Sequence, residues 1–137
     1  MNALEETVAF LTAHTPQYLA TIGLDGNPKV RPFRFMLEKN GRLFFATSNQ
    51  KQVFAEMRHH REVELCIMGT GAAWIRLKGS VVFVDDMALK KEIFDMAANV
   101  RNIYKTPGNP ALVIFFLENA RAVMTSLGGE PPKDLSW

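Results

Sequence analysis

The sequence holds a single cysteine, Cys66, so no disulfide can form within its 137 residues. No second cysteine or histidine stands near it at zinc-ligand spacing, and a strand side chain is the simpler reading of it. Histidine is nearly as scarce, with only His14, His59 and His60. His14 lies at the end of an apolar N-terminal run, and His59 and His60 are adjacent and flanked by arginines. None has the separated partners of a catalytic triad or the spacing of a metal site. Charge of one sign is missing too: 16 Lys and Arg against 14 Asp and Glu leave a formal net charge of +2, which gives no argument for nucleic acid. The basic run Arg58-His59-His60-Arg61 is diluted at once by Glu62 and Glu64. No apolar run approaches the roughly 20 residues that span a bilayer. The opening MNALEETVAF has acidic rather than basic residues before its apolar positions, so a cytoplasmic protein is expected. Gly69-Thr70-Gly71 lacks the remainder of either the dinucleotide or the Walker pattern.

Hydrophobic residues at 47% and charged residues at 22% suit one domain, residues 1–137, with a real core. Residues 2–13 read as an amphipathic helix with Asn2 and Glu5 at capping spacing and Leu4, Val8 and Leu11 on one face. Residues 17–24 alternate like a strand and turn at Asp25-Gly26. The next strand carries Arg31, Phe33 and Phe35 on one side, with Pro32, Arg34 and Met36 on the other. Pro32 places this strand at an edge or a bulge, because proline cannot donate to a ladder. Asn40-Gly41 predicts a tight hairpin. A helix then runs from Lys51 to about Arg58, burying Val53, Phe54 and Met57.

Val63, Leu65 and Ile67 mark a fourth strand. A long fifth strand runs from Ala72 to Val84 with a bulge at Gly79. A helix capped by Asp85 or Asp86 extends to about Val100, continuing through Tyr104. The apolar run Ala111–Leu117, with a bulge near Glu118-Asn119, begins the last strand, and Leu135 and Trp137 are expected to dock on a neighbouring surface. Six strands, mostly hairpin-connected, with short helices describe a mainly β, closed or partly closed antiparallel barrel.

One stretch carries candidate chemistry. Thr47-Ser48-Asn49-Gln50-Lys51 sets hydroxyls and a cation at a helix start, where lysine is mildly disfavoured unless an anion sits over the turn. Lys51 is either a solvated surface lysine or a phosphate ligand. Arg31 is either a salt-bridge partner or part of the same site. Trp74, sharing a strand face with Arg76 and Lys78, is either an aromatic at the core edge or an interface, or a wall beside a flat ring system.

Pro28-Lys29-Val30-Arg31-Pro32-Phe33, Gly41-x-Leu43-x-Phe45-x-Thr47-Ser48-x-x-Lys51 and Glu62-Val63-Glu64-Leu65-Cys66, in this order and followed by the Trp74 strand, resemble the FMN-binding split-barrel proteins. These are short relatives of pyridoxamine 5'-phosphate oxidase that include nitroimidazole-resistance and general-stress flavoproteins. The resemblance covers residues 1 to about 126. It implies a six-stranded Greek-key split barrel, a homodimer, and FMN in clefts at the interface. By position, Arg31 and Lys51 would bind the FMN phosphate, helped by Thr47 and Ser48. Pro32, Phe33 and Arg34 would run beside the isoalloxazine, and Trp74 would approach from the partner subunit.

The oxidases proper carry an Arg-Lys pair where this chain has Gln50-Lys51, and end in an arginine- and histidine-bearing substrate segment where this chain has GGEPPKDLSW. The expected activity is therefore electron transfer from reduced FMN, with NAD(P)H as a donor, to a small acceptor such as a quinone, a nitro compound or another flavin. No side chain need act as a catalytic acid or base, and no metal is expected. The alternative is a non-catalytic carrier, store or sensor that binds FMN or haem.

Overall fold

The computed structural model describes residues 1–137. Helix α1 (Ala3–Ala13) starts where the Asn2 side chain accepts a hydrogen bond from the Glu5 N–H at 2.8 Å, satisfying an amide the helix itself leaves free. In strand β1 (Gln17–Ile22) buried and exposed residues alternate strictly, so Gln17, Leu19 and Thr21 face inward. Strand β2 (Pro28–Phe33) returns beside it after a turn in which Gly26 takes a φ of 81°. Strands β3 (Phe35–Lys39) and β4 (Arg42–Ser48) form the expected hairpin, with Asn40 and Gly41 at φ 54° and 79° as a two-residue primed turn requires. Helix α2 (Gln52–His59) leads to the antiparallel pair β5 (Glu62–Met68) and β6 (Ala73–Val84). Helices α3 (Met87–Met96) and α4 (Ala98–Tyr104) precede the long β7 (Leu112–Ser126) and the short β8 (Lys133–Asp134).

These strands make one antiparallel sheet in the order β2-β1-β5-β6-β7-β4-β3, with β8 added on β7. The barrel and its hairpins agree with the sequence reading, and two strands are added to the six expected. One is β8. The other arises because residues 28–39 are not one strand: the run breaks at Arg34, and β2 and β3 end up on opposite edges of the sheet. A straight strand could not pair with both β1 and β4, which β5, β6 and β7 separate. The bend also lets Phe33 and Phe35 both reach Phe45, with ring centroids 6.2 and 5.9 Å away. Pro32 lies on an edge strand, as its missing N–H demands. Across the seam between the edges, the buried Gln17 side chain accepts from the Phe35 N–H at 2.6 Å and donates to the Leu11 and His14 carbonyls.

Strand β7 has apolar residues on both faces because it lies between two cores. Phe115 and Leu117 join the barrel interior with Phe45, Leu65 and Leu77. Leu112, Ile114 and Phe116 pack under α3 and α4. The helix predicted to run unbroken through residue 100 stops at Ala97, whose φ of −118° and ψ of 108° are extended. That break swings Val100 and Tyr104 onto the second core beside Met36. The tail docks as expected: Leu135 is buried in the main core, and the Trp137 indole N–H donates to the Gly41 carbonyl at 2.9 Å. No helix is long and apolar enough to cross a membrane.

The register slips between Lys78 and Ser80, where Gly79 alone stands opposite Asn119 and Ala120. The extra residue, and so the bulge, is on β7, with Asn119 at a φ of 54°, and Gly79 of β6 faces it. A Cβ at Gly79 would stand 2.9 Å from the Leu117 Cβ and 3.1 Å from the Glu118 carbonyl oxygen, neither of which is the end of a flexible side chain. Gly79→Ala is therefore expected to cost about 1–3 kcal/mol, read as a lower urea midpoint with unchanged slope. An unchanged midpoint would show that the bulge can relax.

Candidate functional site

The bend at Arg34 opens a cleft of about 280 Å³ between the β2–β3 turn, the end of β4 and helix α4. Five of the predicted site residues line it: Pro32, Phe33, Arg34, Thr47 and Lys51. They lie on either side of one hairpin and meet because β3 and β4 are hairpin partners and α2 begins directly after β4.

Lys51 is the residue preceding α2. Its backbone is extended, its side chain makes no capping hydrogen bond, and no acidic residue stands in the first turn. The leading amides of α2 therefore face outward without a side-chain acceptor, and the helix dipole adds positive potential there. The chain's seven ion pairs involve neither Lys51 nor Arg34, so both cations at the cleft lack a carboxylate partner. Thr47 supplies the most pointed observation. It is 3% exposed, and its hydroxyl oxygen is the one buried side-chain polar atom in the protein without a hydrogen-bond partner. Burying a hydroxyl unpaired costs about 1–3 kcal/mol, so such atoms are rare in folded chains and call for an explanation. Its neighbour Ser48 is also buried and accepts from the Gln50 N–H at 3.1 Å.

Arg31 lies elsewhere. Its guanidinium turns toward α2, donating to Glu56 Oε1 at 2.6 Å, to Thr21 Oγ1 at 2.6 Å and to the Leu19 carbonyl at 3.3 Å. Glu56 is 1% exposed, and its Oε1 also accepts from the Thr21 hydroxyl at 2.7 Å. This buried network ties α2 to β1 and β2. It went unread in the sequence, although Glu56 lies three residues after Val53 and beside Met57, on the side of the helix that had to be covered. Trp74 is half-buried at the start of β6, opposite Met68 and Thr125, and is not on the cleft of its own chain.

Sequence reasoning also missed the far wall. Asn99, Val100, Ile103 and Tyr104 of α4 close the cleft opposite the β2–β3 bend. Reading α3 and α4 as one helix hid this, and only the apolar spacing of Val100 and Tyr104 hinted at a separate packing face. Burial pushes the Tyr104 phenol above its ordinary pKa, and the neighbouring Ser48 hydroxyl partly offsets this. The ring therefore stays neutral and serves as wall. Taken together, the cleft offers a lysine and uncapped amides at the start of α2, the unpartnered Thr47 hydroxyl in its lining, and apolar sides at Phe33, Met36 and Ile103. Those features suit a ligand with a phosphate at one end and a planar ring at the other.

Comparison with known proteins agrees with that architecture. A NimC/NimA family protein from Clostridium acetobutylicum superposes with a TM-score of 0.88 at 26% identity, covering 98% of this chain and 92% of its own. General stress protein 26 from Bacillus anthracis gives 0.78 at 17% identity and full coverage of both chains. A pyridoxamine 5'-phosphate oxidase-related, FMN binding protein from Nostoc punctiforme gives 0.69 at 18%, covering 96% of this chain and 86% of its own. Among curated proteins the sequence finds no match. Residues 3–124, which take in both edges of the sheet, the start of α2 and the α4 wall, match the family model for pyridoxamine 5'-phosphate oxidase, and the chain belongs to that family.

Proposed function

We propose that this protein is an FMN-dependent oxidoreductase that passes electrons from reduced flavin to a small acceptor such as a quinone, a nitro compound or another flavin. The observation that carries the reading is the partnerless, buried Thr47 hydroxyl in a cleft whose two cations, Arg34 and Lys51, have no carboxylate. A phosphate group supplies what Thr47 and Lys51 lack. Lys51 and the leading amides of α2 hold the phosphate, Thr47 donates to it, and Ser48 shapes the turn that presents them. Pro32, Phe33 and Arg34 bring an unpaired strand edge alongside the ring, where backbone groups can meet its polar rim. Met36, Ile103 and Tyr104 keep water from its faces. FMN, when bound, supplies the hydride chemistry, so the protein's work is binding, orientation and exclusion of water.

Arg31 acts in this reading through α2 rather than on the phosphate, because its fork is occupied by Glu56 and Thr21. A homodimer belongs to the same proposal, with Trp74 of a second copy completing the cleft. NAD(P)H is the proposed electron donor.

The test begins with the visible spectrum of freshly purified protein and a titration of stripped protein with FMN. Saturation near one FMN per chain, followed by NAD(P)H oxidation that depends on an added quinone or nitro compound, is the expected result. FMN binding without turnover would leave a flavin carrier. A haem spectrum in place of a flavin one, or no binding of FMN, would overturn the cofactor assignment.

A further inference from the structure

A second cleft, of about 500 Å³, lies on the other side of α2 and shares no lining residue with the first. Two aromatic rings form one of its walls: Phe54 of α2 and Phe83 of β6 stand with centroids 5.0 Å apart and planes tilted by 52°. Pro110 and Leu112 continue the apolar lining. Two cations share this space. The Arg58 guanidinium lies 5.7 Å from the Phe54 ring centroid and has no carboxylate partner, so its fork is spread over an aromatic face with its donors unspent. The Lys90 side chain is only 13% exposed, yet its nearest carboxylate oxygen, on Asp85, is 3.8 Å away, beyond hydrogen-bond length. Asp85 itself is 97% exposed, so it is a solvated rim group rather than a committed counter-ion.

We infer that this second cleft is a binding site for a small planar aromatic carboxylate. The ring would lie against Phe54 and Phe83, and the carboxylate would meet the Arg58 fork and the Lys90 ammonium, which the protein otherwise leaves under-partnered. A purely apolar ligand would leave both cations as they are. A phosphate ester fits poorly, because the start of α3 beside the cleft is already capped by the Asp86 carboxylate, which accepts from the Leu89 N–H at 3.1 Å, and the aromatic walls demand a ring. The inference stands on residues that the FMN reading does not use.

The test uses 2-naphthoate, followed by calorimetry and by its own fluorescence, on the full chain with and without saturating FMN. Saturable binding at one site per chain is expected, unaffected by FMN. Arg58→Ala and Lys90→Ala should each weaken it by about tenfold, as should replacing the carboxylate by the neutral 2-naphthamide. Neither side chain belongs to either hydrophobic core, and circular dichroism checks that the variants fold. Absence of saturable binding, displacement by FMN, or affinity indifferent to both substitutions would overturn the site.

Discussion

Lys51→Ala is expected to raise the dissociation constant for FMN by about 10- to 100-fold while leaving the stability of the FMN-free protein within about 0.5 kcal/mol. The first figure follows from losing a charge-assisted hydrogen bond to phosphate, about 1.5–3 kcal/mol, at about 1.4 kcal/mol per decade of affinity. The second follows from position: Lys51 is exposed, precedes α2 and makes no ion pair or capping bond, so nothing in the fold depends on its side chain. Quenching of flavin fluorescence on titration gives the affinity, and urea denaturation gives the stability. Because the lysine acts as a point charge on an exposed anion site, the difference between wild type and variant should shrink as salt is raised. Unchanged affinity would show that the phosphate lies elsewhere and would remove the basis for reading the cleft around α2.

Glu56→Ala is expected to be the most destabilising single change in the site region, at about 3 kcal/mol. Removing one partner of a buried ion pair leaves the other charge without compensation, and such losses run at about 3–5 kcal/mol; the partial exposure of Arg31, at 24%, places this one at the lower end. Three donors lose their acceptor at once, since the carboxylate serves Arg31 and Thr21 on Oε1 and receives a long contact from Gln52 at 3.4 Å on Oε2. Glu56→Gln keeps an acceptor oxygen for Thr21 and Arg31 and should cost less. Combining Glu56→Ala with Arg31→Leu should recover much of the loss, because the orphaned cation is then gone, and a double-mutant cycle in urea measures that coupling. FMN affinity should fall in Glu56→Ala as well, since the network fixes how α2 presents its first turn. Strict additivity of the two substitutions would show that Arg31 and Glu56 do not act as a pair.

What could be read from the residues depended on whether a feature is decided locally. The Asn40-Gly41 hairpin, the edge placement of Pro32, the Asn2 and Asp86 caps and the bulge near Glu118-Asn119 follow from backbone chemistry within a few residues, and all appear where expected. The bulge expected on the fifth strand at Gly79 proves to be the partner side of that same irregularity. The break at Arg34 does not follow from local chemistry. Residues on both sides of it read equally well as strand, and the choice is made by β1 and β4 competing for the same run of chain. The break at Ala97 is similar: nothing in Met96-Ala97-Ala98 opposes helix, and the helix ends because Val100 and Tyr104 find the core beside Met36 and Leu112. The cleft was half legible for this reason. Lys51, Thr47 and the Pro32–Arg34 strand announced themselves through residue type and position, whereas the α4 wall and the Glu56 network exist only through tertiary contacts.

The way the barrel closes has a mechanical consequence. Its two edge strands are one length of chain bent at Arg34, with no ladder between them and the Gln17 to Phe35 bond as a latch. The cylinder is therefore clasped rather than sewn, and its most compliant deformation is a gaping of the clasp. That gap is also the mouth of the first cleft, so an occupant there works as a wedge that fixes the girth of the whole barrel. Occupancy of the cleft and roundness of the fold become one coordinate, and the slow amide hydrogen exchange of strands far from any ligand contact would record whether the clasp is filled.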